Sequence, residues 1–249
     1  MRDKLKEKYK EAVLEGYDLI FEYKGDTHAV KTNEWNDEKA ADCFRLTGLK
    51  AFRENIPDGQ LVFYDPNEWE VASEGKLKWL HYTGNSCKPS MPINCTSLAG
   101  AFAERADLTE LDLTAWDTSK LRYMTGMCMG CSNLVNLNLA ELDVRSLINA
   151  DSMCKGCASI VEVNLTGWHP VKLISAKKWF FGCMSLQEVK FNQWEKWQID
   201  KDLQLDSAWD ACKLVAPAYL AEMDDVDILL DMIDGKGFTM KNVNPLCSF

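Results

Sequence analysis

The sequence predicts an α/β solenoid, in which short units of equal length stack on one another, and two observations lead to this prediction. The first is spacing, because four apolar residues open similar short patterns and each lies 26 residues after the one before. The second is the pattern, because L-x-x-L-x-L at a period of about 20 to 29 residues is the signature of leucine-rich repeats. The opening residues are Leu108, Leu134, Ile160 and Leu186, and their patterns read LTELDL, LVNLNL, IVEVNL and LQEVKF.

Each unit is predicted to contain one strand and one helical return. Apolar residues three and five positions after each opening residue, such as Leu111 and Leu113, alternate as in a strand with one buried face. The segment ahead of each strand also keeps apolar residues in fixed columns, and we interpret it as a helix. The strands would then form a parallel sheet on one face of the solenoid. Four units are regular, and an irregular fifth can be aligned near Trp209.

The repeats divide the chain into three predicted parts. Residues 86–216 form the solenoid, residues 1–85 an α+β cap at its N-terminal end, and residues 217–249 an acidic capping helix and tail. Caps are expected because the ends of a solenoid expose apolar side chains. Within the first cap, helices are predicted over residues 3–16 and 37–55, and strands over residues 17–23, 61–64 and 77–82.

Two motifs in the repeats resemble those of a known family. Gly-Cys recurs in register at Gly130-Cys131, Gly156-Cys157 and Gly182-Cys183, and Trp116-Asp117-Thr118-Ser119 follows the first strand. Over about residues 97–215 the chain is similar to the leucine-rich repeats of BspA-type bacterial surface proteins and mycoplasma-type lipoproteins. The resemblance implies a repeat scaffold that serves in binding, and it identifies no single partner.

The relatives implied by this resemblance are exported, but the sequence lacks the features of export. Residues 1–10 read MRDKLKEKYK, and neither an apolar core of roughly 7 to 15 residues nor a lipobox-like cysteine follows them. We therefore expect a cytoplasmic protein of a bacterium or of a phage-infected host, without membrane contact. Its ten cysteines are then reduced, and they pack as small apolar side chains.

Two C-x-x-C pairs raise the question of a zinc site. Cys128 with Cys131, and Cys154 with Cys157, have the spacing of a four-thiolate site. However, Cys128 and Cys154 share a column with phenylalanine in the neighbouring units, which is typical of an apolar core. We therefore expect buried thiols and no metal or other cofactor. In the first unit Arg105 takes the place of the second cysteine of the pair, which predicts that this unit caps one end of the solenoid.

Composition and motifs disfavour several other classes of function. A formal net charge of -10 disfavours direct binding of nucleic acid, because phosphates require a basic surface. The glycines after Asp234 resemble part of a calcium loop, but Met232, Lys236 and Val243 stand where oxygen ligands belong. The sequence contains no nucleophile elbow, phosphate-binding loop or zinc-protease helix. We therefore expect neither an enzyme nor a small-molecule substrate.

The outward face of the repeat strands is the predicted binding surface. Side chains on either side of each buried central residue point away from the core, so they should form two rows across a parallel sheet. Like charges within a row repel, and a basic partner would relieve that repulsion. A solvated face without any partner is the alternative interpretation. The candidate partner-binding residues are Glu110, Asp112, Asn136, Asn138, Glu162, Asn164, Glu188 and Lys190.

These features together predict a non-enzymatic protein that binds an intracellular protein partner with a basic surface, as an inhibitor or adaptor. One specific hypothesis is a phage or mobile-element protein that blocks a host defence or nucleic-acid-processing complex. Two alternatives stay open at this point. The first is an exported bacterial surface adhesin of the BspA type, and the second is an enzyme located in residues 1–85.

Overall fold

The computed structural model describes residues 16–190, with backbone only at Glu188 and Lys190. The predicted first helix, fifth unit and C-terminal helix lie outside the described residues. The described chain contains one α-helix and ten strands, which form four sheets. None of its helices is long and apolar enough to cross a membrane.

Three antiparallel strand pairs and the helix make up the N-terminal part. Two strands predicted from sequence, residues 61–64 and 77–82, are confirmed, and the strand predicted at residues 17–23 begins two residues later. The elements are β1 (Leu19–Tyr23) paired with β2 (Asp26–Val30), α1 (Asp37–Thr47), β3 (Lys50–Arg53) paired with β4 (Leu61–Tyr64), and β5 (Trp69–Glu74) paired with β6 (Leu77–Tyr82).

Helix α1 is shorter than the predicted helix at residues 37–55. The side chain of Asn36 accepts a hydrogen bond from the backbone amide of Lys39 at 3.0 Å and caps the start of the helix. Gly48 adopts a left-handed conformation with φ of 76° and donates its amide to the carbonyl of Phe44, which ends the helix. The chain after Gly48 then enters β3, so the predicted helix was wrong beyond this capping glycine.

Four short strands in the repeats pair in parallel in the order β7, β8, β9, β10. Residues 26 positions apart lie side by side, so the central residue of each strand aligns with that of the next. A second line of isolated parallel bridges joins Ser97, Tyr123, Asn149 and Ser175. The strands are β7 (Glu110–Asp112), β8 (Asn136–Asn138), β9 (Glu162–Asn164) and β10 (Glu188–Lys190).

The predicted α/β solenoid of leucine-rich repeats with helical returns is wrong. Three of the four described sheets are small antiparallel pairs, and the one α-helix of residues 16–190 lies before the repeats. The segments that join the repeat strands are turns, in which Gly130, Gly156 and Gly182 have φ of 75°, 77° and 76°. A right-handed helix cannot contain that conformation. Amides in these turns donate to the following unit, as Gly130 does to the carbonyl of Lys155 at 2.8 Å.

A single large core runs through the repeats and into the antiparallel part. Phe102, Cys128, Cys154 and Phe180 are completely buried, which confirms the interpretation of their column as apolar core. The same core includes residues of β4, β5 and β6, so these strands pack against the first unit. A smaller cluster lies between β1, β3 and β4. The division into a cap, a repeat region and a C-terminal part stays a prediction.

A buried carboxylate completes the hydrogen bonds of the first unit. In the second unit, the amides of Arg122 and Tyr123 both donate to the carbonyl of Thr96, at 2.8 and 3.3 Å. The equivalent amides of the first unit belong to Thr96 and Ser97, and both donate to one oxygen of Glu54, at 2.8 and 2.9 Å. Glu54 is only 7% exposed. Its carboxylate therefore takes the position that a preceding unit's carbonyl would occupy.

Arg105 also joins the first unit to the antiparallel part. Its guanidinium donates to the carbonyls of Tyr82 and Gly84, and the hydrogen bond to Gly84 measures 2.8 Å. The guanidinium also lies over the ring of Tyr82, 5.3 Å from its centroid. Arg105 therefore connects the first unit to the antiparallel part. That this unit caps one end of the repeats stays a prediction.

Candidate partner-binding surface

The eight predicted binding residues lie on the four-stranded parallel sheet, in two rows. Adjacent members of a row are directly paired across neighbouring strands, which lie about 4.8 Å apart in such sheets. The acidic row consists of Glu110, Asn136, Glu162 and Glu188, and the exit row of Asp112, Asn138, Asn164 and Lys190.

Side chains of the exit row shape the turns that leave the strands. An oxygen of Asp112 accepts from the amide of Thr114 at 3.1 Å, and Asn138 accepts from the amide of Ala140 at 3.3 Å. Asn164 makes the same bond to the amide two residues ahead, at 3.0 Å. These are Asx turns, in which the side chain stands in for a backbone acceptor. The signal in the sequence was the Asp or Asn at the end of β7, β8 and β9, which was predicted to serve partner binding alone.

Asp112 has an additional local partner. Its carboxylate forms an ion pair with Lys88 at 3.0 Å and accepts from the hydroxyl of Thr114 at 2.8 Å. Partial burial acts to raise the pKa of Asp112, but the hydrogen bonds from Lys88 and Thr114 outweigh it and lower the pKa below its ordinary value. The negative charge of Asp112 is therefore compensated within the molecule.

The acidic row is the more accessible of the two. Glu110 and Asn136 are exposed, and Glu162 is partly buried. None of the ion pairs within residues 16–190 involves Glu110. Two carboxylates thus flank one amide on the same face of the sheet, and the backbone of β10 continues the row to Glu188. Three of the four residues of the row are therefore acidic.

The constant 26-residue spacing of the cysteines serves contacts between units. The thiols of Cys131, Cys157 and Cys183 donate to the carbonyls of residues 29 positions earlier, at 2.9, 3.0 and 3.0 Å. Contacts with the thiols of Cys128 and Cys157, together with burial, raise the pKa of Cys131. No group of three or more His, Cys, Asp or Glu within the described residues is arranged to hold a metal ion. The sequence predicted buried thiols, but not their role as hydrogen-bond donors.

A second charged surface, the basic groove, was not predicted. It has a volume of about 500 Å³. The ammonium of Lys120 donates to the side-chain oxygen of Asn94 at 2.9 Å, and Arg122 lies 3.9 Å from Asp58. In the sequence, the basic groove corresponds to a column of the repeat that has lysine at positions 120 and 172, in a chain that is acidic overall. The lining residues are Asp58, Gln60, Asn94, Thr96, Ser119, Lys120, Arg122, Ser146, Ile148 and Lys172.

A pocket of about 440 Å³ in the antiparallel part bears on the enzyme alternative. Its lining includes His28, Trp35 and Cys43. Burial raises the pKa of the Cys43 thiol, and its hydrogen bond with Thr47 offsets only part of this effect. A nucleophilic cysteine requires a lowered pKa, so Cys43 is not activated in this arrangement.

Comparison with known proteins gives a match to a family model. Residues 96–216 match the model of a family described as a Mycoplasma protein of unknown function, DUF285. That description does not mention leucine-rich repeats. The chain has no significant match among curated proteins or among solved structures. The matched segment contains both rows of the sheet and most of the basic groove, whereas the antiparallel strand pairs lie outside it.

Proposed function

We propose that this chain is a non-enzymatic protein that binds a protein partner with a basic surface through its acidic row. The observation that supports this most is the direct pairing of Glu110, Asn136 and Glu162 across three parallel strands. Pairing of this kind holds the two carboxylates about 10 Å apart on one face. A cationic partner would gain attraction from both at once and relieve their mutual repulsion.

The shape of the surface favours a protein over a small ligand. Four strands give the row a length of about 14 Å, and the row lies on a sheet and not in an enclosed cavity. The Asx turns of Asp112, Asn138 and Asn164 fix the strand exits beside it. A surface that is ordered before binding loses less conformational entropy when the partner arrives.

Reversing the charge of the acidic row tests this proposal. The triple variant Glu110→Lys, Glu162→Lys, Glu188→Lys should capture at least tenfold less partner from a lysate of the organism that encodes the chain. A matched control reverses three exposed glutamates on the antiparallel strands, Glu22, Glu70 and Glu74. Capture by the control should equal that of the original chain. Equal capture by both variants would show that the acidic row is not the binding surface.

An inhibitor or adaptor acting inside a bacterial or phage-infected cell is the finer form of this proposal. The buried cysteines support it, because Cys131 and Cys157 act as thiol donors to backbone carbonyls. Free thiols are the usual state of cysteine in a reducing compartment. The hypothesis of a phage or mobile-element antagonist predicts that the captured partner belongs to a host defence or nucleic-acid-processing complex.

A bacterial surface adhesin of the BspA type is the second candidate. The match to a Mycoplasma family over residues 96–216 supports it, together with the recurring Gly-Cys motifs. Antibodies against the chain distinguish the two locations when applied to cells of the source organism. Labelling of intact cells favours the adhesin, whereas labelling that appears only after permeabilisation favours the intracellular protein.

A further inference from the structure

We propose that the acidic row of one molecule binds the basic groove of a second copy of this chain. This inference rests on the proposed function, because it names the basic surface that the acidic row recognises. The two surfaces lie on different parts of the same repeat units, so each molecule carries both halves of the contact.

The spacing of the two surfaces matches. In the basic groove, successive residues of one column lie 26 positions apart: Lys120, Ser146 and Lys172. Each of them lies three positions before a residue of the bridged line Tyr123, Asn149, Ser175. They therefore advance by one strand spacing per unit, about 4.8 Å, as the acidic row does. The groove therefore has a base, a hydroxyl and a base at the same spacing at which the acidic row has an acid, an amide and an acid.

The charges of the two surfaces are complementary. The whole chain has a formal net charge of -10, yet the basic groove contains two lysines and one arginine against a single acid, Asp58. Lys120 donates to the neutral side chain of Asn94, so its positive charge is not neutralised by that contact. A row of carboxylates is the complement of such a groove.

Exposed apolar side chains are close in sequence to charged or polar residues of both surfaces. Val171 precedes Lys172, Ile174 follows it by two residues, and they are 39% and 53% exposed. Val135 precedes Asn136 of the acidic row and is 36% exposed. Burial of these side chains would add a hydrophobic contribution to the ion pairs.

Each molecule carries both surfaces, so the contact can be made twice within a two-fold dimer or once between successive copies of an open chain. Exposed ion pairs are weak, so we expect a dissociation constant of roughly 10 µM to 1 mM. Assembly should therefore increase steadily with protein concentration.

Sedimentation equilibrium on the full chain and two charge variants tests the inference. The row variant is Glu110→Lys, Glu162→Lys, and the groove variant is Lys120→Glu, Lys172→Glu. Each variant alone should associate at least tenfold more weakly than the original chain. An equimolar mixture should recover association, because the row variant keeps the original groove and the groove variant keeps the original row. Circular dichroism melting establishes that both variants are folded, and Glu70→Lys, Glu74→Lys is the control for a change of net charge.

The outcomes separate this inference from the proposed function. Loss of association in each variant and recovery in the mixture would support the contact. An original chain that stays monomeric at about 1 mM, or a mixture without recovery, would overturn it. If the chain is monomeric while the triple lysine variant of the acidic row loses its lysate partner, the inference of self-association is wrong and the proposed function is supported. If that triple variant retains its lysate partner, the proposed function falls, whatever the sedimentation result.

Discussion

Replacing Glu54 with alanine should destabilise the junction between the antiparallel part and the first repeat unit. The Glu54 carboxylate accepts from the amides of Thr96, Ser97 and Gln60, at 2.8, 2.9 and 3.1 Å, and from the hydroxyl of Thr96 at 2.5 Å. Alanine leaves all four donors without this acceptor. Each unsatisfied buried donor costs about 1 to 3 kcal/mol. The Thr96 groups are buried and the other two are partly exposed, so we expect a loss of about 3 to 5 kcal/mol.

Urea denaturation followed by tryptophan fluorescence measures this loss. For a protein of this size, 1 kcal/mol corresponds to roughly 2 to 4 °C in melting temperature, so the melting temperature should fall by about 10 °C. Glu54→Gln keeps one acceptor oxygen and should lose less. Glu74→Ala, at an exposed position of β5, is the matched control and should change stability by less than about 0.5 kcal/mol. A Glu54→Ala variant that is no less stable than this control would refute the role of the carboxylate.

Three further predictions concern the repeats. Gly156→Ala should lower the free energy of unfolding, measured by thermal unfolding, by about 1 to 2 kcal/mol. The reason is its φ of 77°, since the added methyl group meets Gly130 only at 3.9 Å. A loss above about 4 kcal/mol would contradict an explanation by backbone conformation alone. The pKa of Cys131 is raised in the folded protein. The contribution of its thiol to stability is therefore fully present below the unfolded pKa of about 8.5. Stability should fall as the pH rises above that value towards the folded pKa. Urea unfolding in reductant between about pH 7 and 10 measures this slope, and Cys131→Ala should reduce it. Asp112→Asn keeps the Asx turn and loses only the ion pair with exposed Lys88. It should lower the free energy of unfolding in urea by less than about 1 kcal/mol, whereas Asp112→Ala should lower it more.

The spacing of apolar residues was sufficient to place the repeat strands. Leu111, Leu137 and Val163 are neighbours in the sheet because their common period sets a common register. Hydropathy was not sufficient for the segments between the strands. Leu98 and Phe102 are four residues apart, as on one face of a helix, and both are buried. The conformation of that segment is instead decided by hydrogen bonds to the next unit, such as the amide of Phe102 to the carbonyl of Met127, which apolar columns do not encode.

The candidate surface was located from sequence, but the roles of its residues were not. Glu110 and Asp112 flank the same buried leucine and have the same charge, yet only Asp112 is engaged in a turn and an ion pair. That difference depends on the path of the chain after the strand. Glu54 was missed for a related reason. Glutamates are seldom buried, and the amides of Thr96 and Ser97 that Glu54 binds lie more than 40 positions further along the chain.

The shared period of 26 residues has a consequence for how such a surface can change in length. Insertion of one whole unit would extend the acidic row by about 4.8 Å and leave Glu54 and Arg105 in place at the first unit. An insertion of any other length would displace the left-handed glycines, the thiol donors and the carboxylates from their neighbours simultaneously. The length of the candidate surface can therefore grow or shrink only in whole steps, and a gene that gains or loses one repeat encodes a surface of a new, discrete size.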